Sequence, residues 1–234
     1  MTVWVPIPGD FLEATFERRS KRFIVTARTR KGSIEAFLSH TGRLSELLTP
    51  GARLTLTQVP ASRHASLRYG VVAAWDGNTP VVIDTTLPNK LIRHALESRA
   101  IRNLPSYQKV VAEAPISDRR IDFALPSRTR VTYIEVKSCT LARDGVALFP
   151  DAPSLRGTQQ LQALRQATMN GQVCIVLFLA TRPDVTSFTP NAIIDPTFSE
   201  ALQRGADQGL RVLAYTSFLR QHRYFLGKAI PVQL

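Results

Sequence analysis

Asp122 and the run Glu135-Val136-Lys137 carry the side chains best suited to chemistry. Side chains alternate along a strand, so Glu135 and Lys137 share a face when the segment is extended. RIDFAL at 120–125 and VTYIEVKS at 131–138 alternate and are rich in β-formers, and residues 126–130 between them read as a turn. Folding that hairpin sets Asp122 opposite Ile134 or Glu135, with the register left open. Two carboxylates and an ammonium on one patch suit metal-assisted phosphodiester cleavage. Mg²⁺ or Mn²⁺ takes hard carboxylate oxygens and keeps several waters. A neighbouring lysine orients or deprotonates the attacking water and steadies developing charge. This arrangement is written PD-(D/E)xK in metal-dependent nucleases. The bare spacing is common and also fits a solvated strand with an i,i+2 ion pair. The apolar RIDFAL and YIEV surroundings favour inner strands, where a charge must be paired or bound to metal.

A second group is basic. Arg18, Arg19, Lys21, Arg22, Arg28, Arg30 and Lys31 place seven cations in fourteen residues, with Phe23 among them. On a barrel, a basic groove with an aromatic platform holds single strands; for any one of these residues a solvated strand face is the plain alternative. Arg43, Arg63, Arg68 and Tyr69 are candidates to extend the surface. The whole chain agrees in sign: 30 Lys and Arg against 18 Asp and Glu leave +12, and 24 of those cations are Arg. The planar guanidinium fork matches phosphate bidentately. The expected partner is DNA, single- or double-stranded, with RNA an open alternative. A small-molecule or protein-interaction role with incidental charge is the competing class, and it predicts binding insensitive to salt.

Other chemistries find no support. There is no P-loop, GxGxxG or nucleophile elbow. His40, His64, His94 and His222 show no metal-ligand spacing, and Cys139 and Cys174 lie in no CxxC or Cys/His cluster. Asp151, just ahead of a helix start, reads as a cap more readily than as a site residue. The longest apolar stretch, Val173–Ala180, is far short of the ~20 residues that span a bilayer. MTVWVPIPGD has none of the features of a signal peptide, so a cytoplasmic protein with reduced thiols and no membrane partner is expected.

The elements that must position these residues fall into two sets. Short β-like runs at 14–17, 23–29, 34–38, 53–58, 67–75 and 81–84, separated by turns, suggest a closed OB-like barrel over residues 1–85. A helix follows at 89–99. Over 86–234, the hairpin precedes a helix at 154–169, the apolar strand Val173–Ala180, a helix opened by Asp195-Pro196 and ended by Gly209, and a strand at 211–215. Strand, helix, strand, helix, strand implies parallel pairing by crossovers. The fold class is α/β, α+β overall.

The blocks RRSKRF (18–23), TGRLSELLTPG (41–51), DTTLPNKL (84–91), RRIDF (119–123), IEVKSCTL (134–141), ALFPDAPSLRG (147–157) and IDP (194–196) run in order along nearly the whole chain. Their series resembles the sugar fermentation stimulation protein family. The resemblance implies an OB-like barrel followed by a restriction-endonuclease-like mixed sheet flanked by helices. It also implies a DNA-binding protein, sequence-tolerant and linked to regulation of sugar catabolism, with metal-dependent cleavage of DNA or RNA as the alternative. Asp122, Glu135 and Lys137 would be the catalytic set, Asp122 and Glu135 the Mg²⁺ or Mn²⁺ ligands, and Glu113 in VVAEAP a further upstream acid. Three positions depart from the family pattern. Arg119 stands where a Ser is usual, Leu155 where a Glu is common, and Gln160 where a His is common. Losing a carboxylate and a histidine weighs against catalysis more than against binding. Nucleases of this fold often act in pairs, which makes a homodimer an expectation by analogy.

Overall fold

The computed structural model describes residues 2–59, 67–117 and 119–234; Arg63 and His64 lie outside the described residues. Seven strands come first: β1 (Trp4–Pro6), β2 (Phe11–Lys21), β3 (Ile24–Thr29), β4 (Gly32–Phe37), β5 (Arg53–Gln58), β6 (Tyr69–Asp76) and β7 (Thr79–Val82). Six of them order as β4-β3-β2-β5-β6-β7, and a β4–β6 contact at Phe37 and Gly70 closes five of them into an OB-like barrel. Alternation drives the closure, because Ala14, Phe16, Val25, Ala27, Leu54 and Leu56 all turn inward to one core. The long β2 serves both sides of the barrel by slipping register between Phe16 and Arg18 and again between Arg19 and Lys21. Gly70 sits where the barrel closes, and a Cβ there would lie 2.9 Å from Val59 Cγ1.

The remainder comprises α1 (Thr86–Glu97), β8 (Val111–Ile116), β9 (Arg119–Pro126), β10 (Val131–Cys139), β11 (Leu141–Arg143), β12 (Val146–Phe149), α2 (Leu155–Met169), β13 (Val173–Ala180), β14 (Ser187–Pro190), α3 (Pro196–Asp207), β15 (Arg211–Arg220) and β16 (Arg223–Ile230). A seven-stranded sheet runs β1-β16-β15-β13-β10-β9-β8, with β10, β13 and β15 parallel and the flanking pairs antiparallel. The expected crossovers are α2 and α3. β1, although it precedes the barrel, completes the edge of this sheet.

Both faces of the sheet are covered at its centre, which is why VCIVLFLA of β13 is apolar throughout. On one face, Leu91, Ile92 and Leu96 of α1 pack with Ile134, Val136 and Leu177, and Val72 and Val82 of the barrel join the same core. Leu161, Leu164, Phe198 and Leu202 of α2 and α3 cover the other face with Phe178. Asp195 caps α3 by accepting from Phe198 N–H, with Pro196 in the first turn. The cap of α2 is Ser154, whose Oγ accepts from Gly157 N–H, so Asp151 does not have the capping role its position suggested. No helix among the described residues is long and apolar enough to cross a membrane.

Candidate functional site

The ladder between β9 and β10 ends at Phe123 opposite Ile134. That register brings Asp122 beside Glu135. Beyond the ladder, Asp122 Oδ2 accepts from Val136 N–H at 2.8 Å, and Oδ1 accepts from Asn89 Nδ2 at 2.7 Å. Asn89 stands in the first turn of α1, so the apolar stripe that docks α1 also fixes where this carboxylate points. Glu135 and Lys137 share a face of β10 as alternation requires. Lys137 Nζ lies 2.6 Å from Glu135 Oε1 and donates to Gln160 Oε1 on α2 at 2.7 Å. Glu135 is 4% and Lys137 9% exposed. Burial pushes the Glu135 carboxyl above its ordinary range; the Lys137 ammonium pulls it back and the Asp122 charge pushes it further up.

Two carboxylates, one of them buried, are a hard oxygen donor set fit for Mg²⁺ or Mn²⁺. Among the described residues no group of three or more His, Cys, Asp or Glu gathers, so water and backbone carbonyls would complete the shell. Mg²⁺ tolerates that well, since it keeps several waters. Glu113 does not join the pair. It falls between the β8–β9 pairs Ala112–Phe123 and Ala114–Ile121, at φ 53°, with its side chain exposed.

The basic cluster divides. Arg18, Lys21 and Arg22 are exposed, and the Arg22 guanidinium lies 5.3 Å from the centroid of the exposed Phe23 ring. Arg28 is exposed but pairs with Glu17 at 2.7 Å, which holds the Glu17 carboxyl below its usual range. Arg19 points into the protein. Its guanidinium donates to the carbonyls of His40 and Gly42 at 2.7 Å and of Arg22 at 3.0 Å, so its donors go largely to loop 40–43. Arg68 is exposed on the approach to β6, and Arg43 lines a cleft between barrel and sheet.

Two family models match the chain, the "SfsA N-terminal OB domain" over residues 18–83 and the "Sugar fermentation stimulation protein RE domain" over 86–223. The chain belongs to the sugar fermentation stimulation protein family. A family homolog from Chloroflexus aurantiacus is 38% identical, over 98% of this chain and 89% of its own. One from Moorella thermoacetica is 37% identical, over 90% and 91%. Pyrococcus furiosus SfsA, solved in complex with Ca²⁺, superimposes over the full length of both chains with a TM-score of 0.90 at 23% identity, a likeness of fold.

The three positions that differ from the family pattern now have places. Leu155 opens α2 and is 74% exposed, whereas Gln160 stands inside the site on Lys137. Arg119 begins β9. Asn89 is signalled only by its place in the DTTLPNKL block, and Gln160 only by standing where the family commonly has a His. His40 and Asp151 also meet: a Cβ on Gly42 would lie 2.7 Å from both Asp151 Oδ2 and His40 Cε1. Burial holds the His40 imidazole below its ordinary pKa, with Asp151 opposing. The cleft beside them, about 440 Å³, is bounded by Arg43, Glu46, Asp76, Arg143, Asp151 and Arg182.

Proposed function

We propose that this protein binds nucleic acid and cleaves its phosphodiester backbone with a divalent cation held by Asp122 and Glu135. The convergence of those carboxylates with Lys137 on adjacent inner strands carries the reading. When bound, such a cation supplies Lewis-acid polarisation of a phosphoryl oxygen and a water of lowered pKa. Asn89 and the Val136 N–H hold Asp122 in one orientation, as supporting contacts do in metal sites generally. Lys137, fixed between Glu135 and Gln160, keeps a positive charge where negative charge develops on phosphate. Gln160 cannot exchange a proton, so any proton transfer falls to Lys137 or to water. The exposed Arg18, Lys21 and Arg22 and the net charge of +12 suit a polyanion. The Ca²⁺ with which Pyrococcus furiosus SfsA was solved belongs to the same oxygen-seeking class of cation.

The test is incubation of labelled single- and double-stranded DNA and RNA with Mg²⁺, Mn²⁺ or EDTA, wild type beside Glu135→Gln. Metal-dependent cleavage by wild type, lost in the variant while binding persists, is the expected outcome. A second reading is DNA binding without turnover, serving regulation of sugar catabolism. It is favoured by Asp122 and Glu135 already being engaged by Asn89, Val136 and Lys137, and by Gln160 at the usual histidine position. Salt-sensitive retardation of DNA with no cleavage in any metal selects it.

A further inference from the structure

The sheet edge formed by β1, β16 and β15 carries an ordered row of rings. Trp4 pairs in register with Phe225, and Phe225 with Phe218. Residues directly opposite in antiparallel strands stand on one face. Two residues along, the next row on that face is Pro6, Arg223 and Arg220. The row between them, Val5, Tyr224 and Leu219, turns the other way into the core under α1. Burial of that row fixes the register and forces the aromatic row outward.

The rings are preorganised. Phe218 and Phe225 lie 4.9 Å apart at 6° to one another, Trp4 lies 6.4 Å from Phe225, and the Arg223 guanidinium sits 4.1 Å from the Trp4 ring centroid. All three rings are half-buried, each keeping a share of its surface in solvent. The hairpin tip is anchored on the barrel: Phe11 stacks on His222 at 4.0 Å, and Ile7 N–H donates to the His222 carbonyl. A ligand therefore meets side chains whose rotamers are already set, which lowers the ordering cost of binding.

Charge identifies the ligand. Residues 208–233 contain Arg211, Arg220, Arg223 and Lys228 and no Asp or Glu, and residues 2–9 contain no Asp or Glu. We propose that this face is a stacking surface for single-stranded nucleic acid, with Trp4, Phe225 and Phe218 receiving bases and Arg220 and Arg223 the phosphates. Single strands expose the π-faces that aromatic side chains on adjacent strands stack against. A duplex keeps those faces inside and offers phosphate charge alone. The inference rests on the nucleic-acid reading above but not on cleavage.

The experiment is fluorescence anisotropy in EDTA with labelled oligothymidylate and with a duplex of equal length. Variants are Phe225→Leu, which keeps an apolar β-edge residue, and the exposed Arg220→Glu. Phe225→Leu is expected to weaken single-strand binding about tenfold, the worth of one stacked base, while duplex affinity stays within about twofold. Arg220→Glu is expected to weaken single-strand binding and flatten its salt dependence. Equal single-strand affinity in wild type and Phe225→Leu overturns the stacking surface alone. Wild type that binds neither probe overturns the nucleic-acid reading with it. Sedimentation showing a dimer that Phe225→Leu dissociates would assign the face to self-association instead.

Discussion

Replacing Lys137 with Met removes the ammonium from a pair 2.6 Å apart whose side chains are 10% and 5% exposed. The unbranched Met stem fills much of the same space, so the change isolates charge rather than opening a cavity. Glu135 becomes a buried carboxylate with Asp122 as the charge that acts on it. Both influences raise its pKa, and the ammonium that opposed them is gone. Breaking one side of a buried ion pair costs about 3–5 kcal/mol. For a protein of this size that is a fall in Tm of about 6–20 °C. An acid whose folded pKa is raised contributes stability that is complete below its unfolded value, near 4.3, and lost as pH rises through the folded value. The deficit of Lys137→Met relative to wild type is therefore expected to be smallest near about pH 4 and to widen toward neutrality. Urea unfolding across that range measures it. The double variant Glu135→Gln/Lys137→Met should recover most of the loss, since replacing both partners removes the stranded charge. A deficit below about 1 kcal/mol, or one of equal size at every pH, would refute the view that Lys137 offsets a buried carboxylate.

Four further outcomes are expected. Asn89→Leu removes the 2.7 Å bond to Asp122 and should lower Mg²⁺ or Mn²⁺ affinity about 10–100-fold by titration calorimetry. Arg19→Ala strands the carbonyls of Arg22, His40 and Gly42 and should cost about 1–3 kcal/mol in urea unfolding; Arg18→Ala and Lys21→Ala should leave stability intact and lower the salt slope of nucleic-acid binding by about one each. Asp195→Ala removes the acceptor for Phe198 N–H at 2.9 Å and Ser154 N–H at 2.8 Å, with an expected loss of about 1–2 kcal/mol by calorimetry.

What the sequence makes legible follows from how locally each element is determined. β13 is an apolar run bounded by Asn170-Gly171, and α3 lies between an Asp-Pro start and Gly209; both match their expected limits because the signals are adjacent in the chain. β8 is an edge strand with Val111, Ala112 and Glu113 exposed, a positive φ at Glu113 and Pro115 within it, so its alternation is confined to the short stretch Ala114–Ile116. The β15–β16 turn places Gln221 and His222 at φ 46° and 58°, conformations usually signalled by Gly or Asn, and the hairpin goes unmarked. β1 is three residues long and finds its partner at the far end of the chain. In the site, Glu135 and Lys137 are legible through period-two alternation, whereas Asn89 and Gln160 reach it across 33 and 23 residues as neutral amides. A run of Arg in sequence does not reveal which guanidinium turns inward, and so Arg19 looks like its neighbours.

That inward turn connects the two halves of the molecule. Arg19 fixes the carbonyls of loop 40–43 at the barrel exit. Immediately before that loop, Ser39 Oγ donates to Asp84 Oδ1 at 3.1 Å and the Ser39 carbonyl accepts from Thr85 Oγ1 at 3.0 Å. Asp84 Oδ1 also accepts from Thr86 N–H at the first turn of α1, and Asn89 in that turn holds Asp122. On the opposite flank, Arg182 is buried between Asp76 of the barrel and Asp184. The barrel is thus hydrogen-bonded, through α1, to the carboxylate that would orient a cation. A guanidinium spent on carbonyls within this chain of contacts supports the site from behind, while Arg18, Lys21 and Arg22 on the same strand and turn remain turned to solvent. One short basic segment therefore supplies both a structural strut and a charged surface, and only the direction of each side chain separates the two roles.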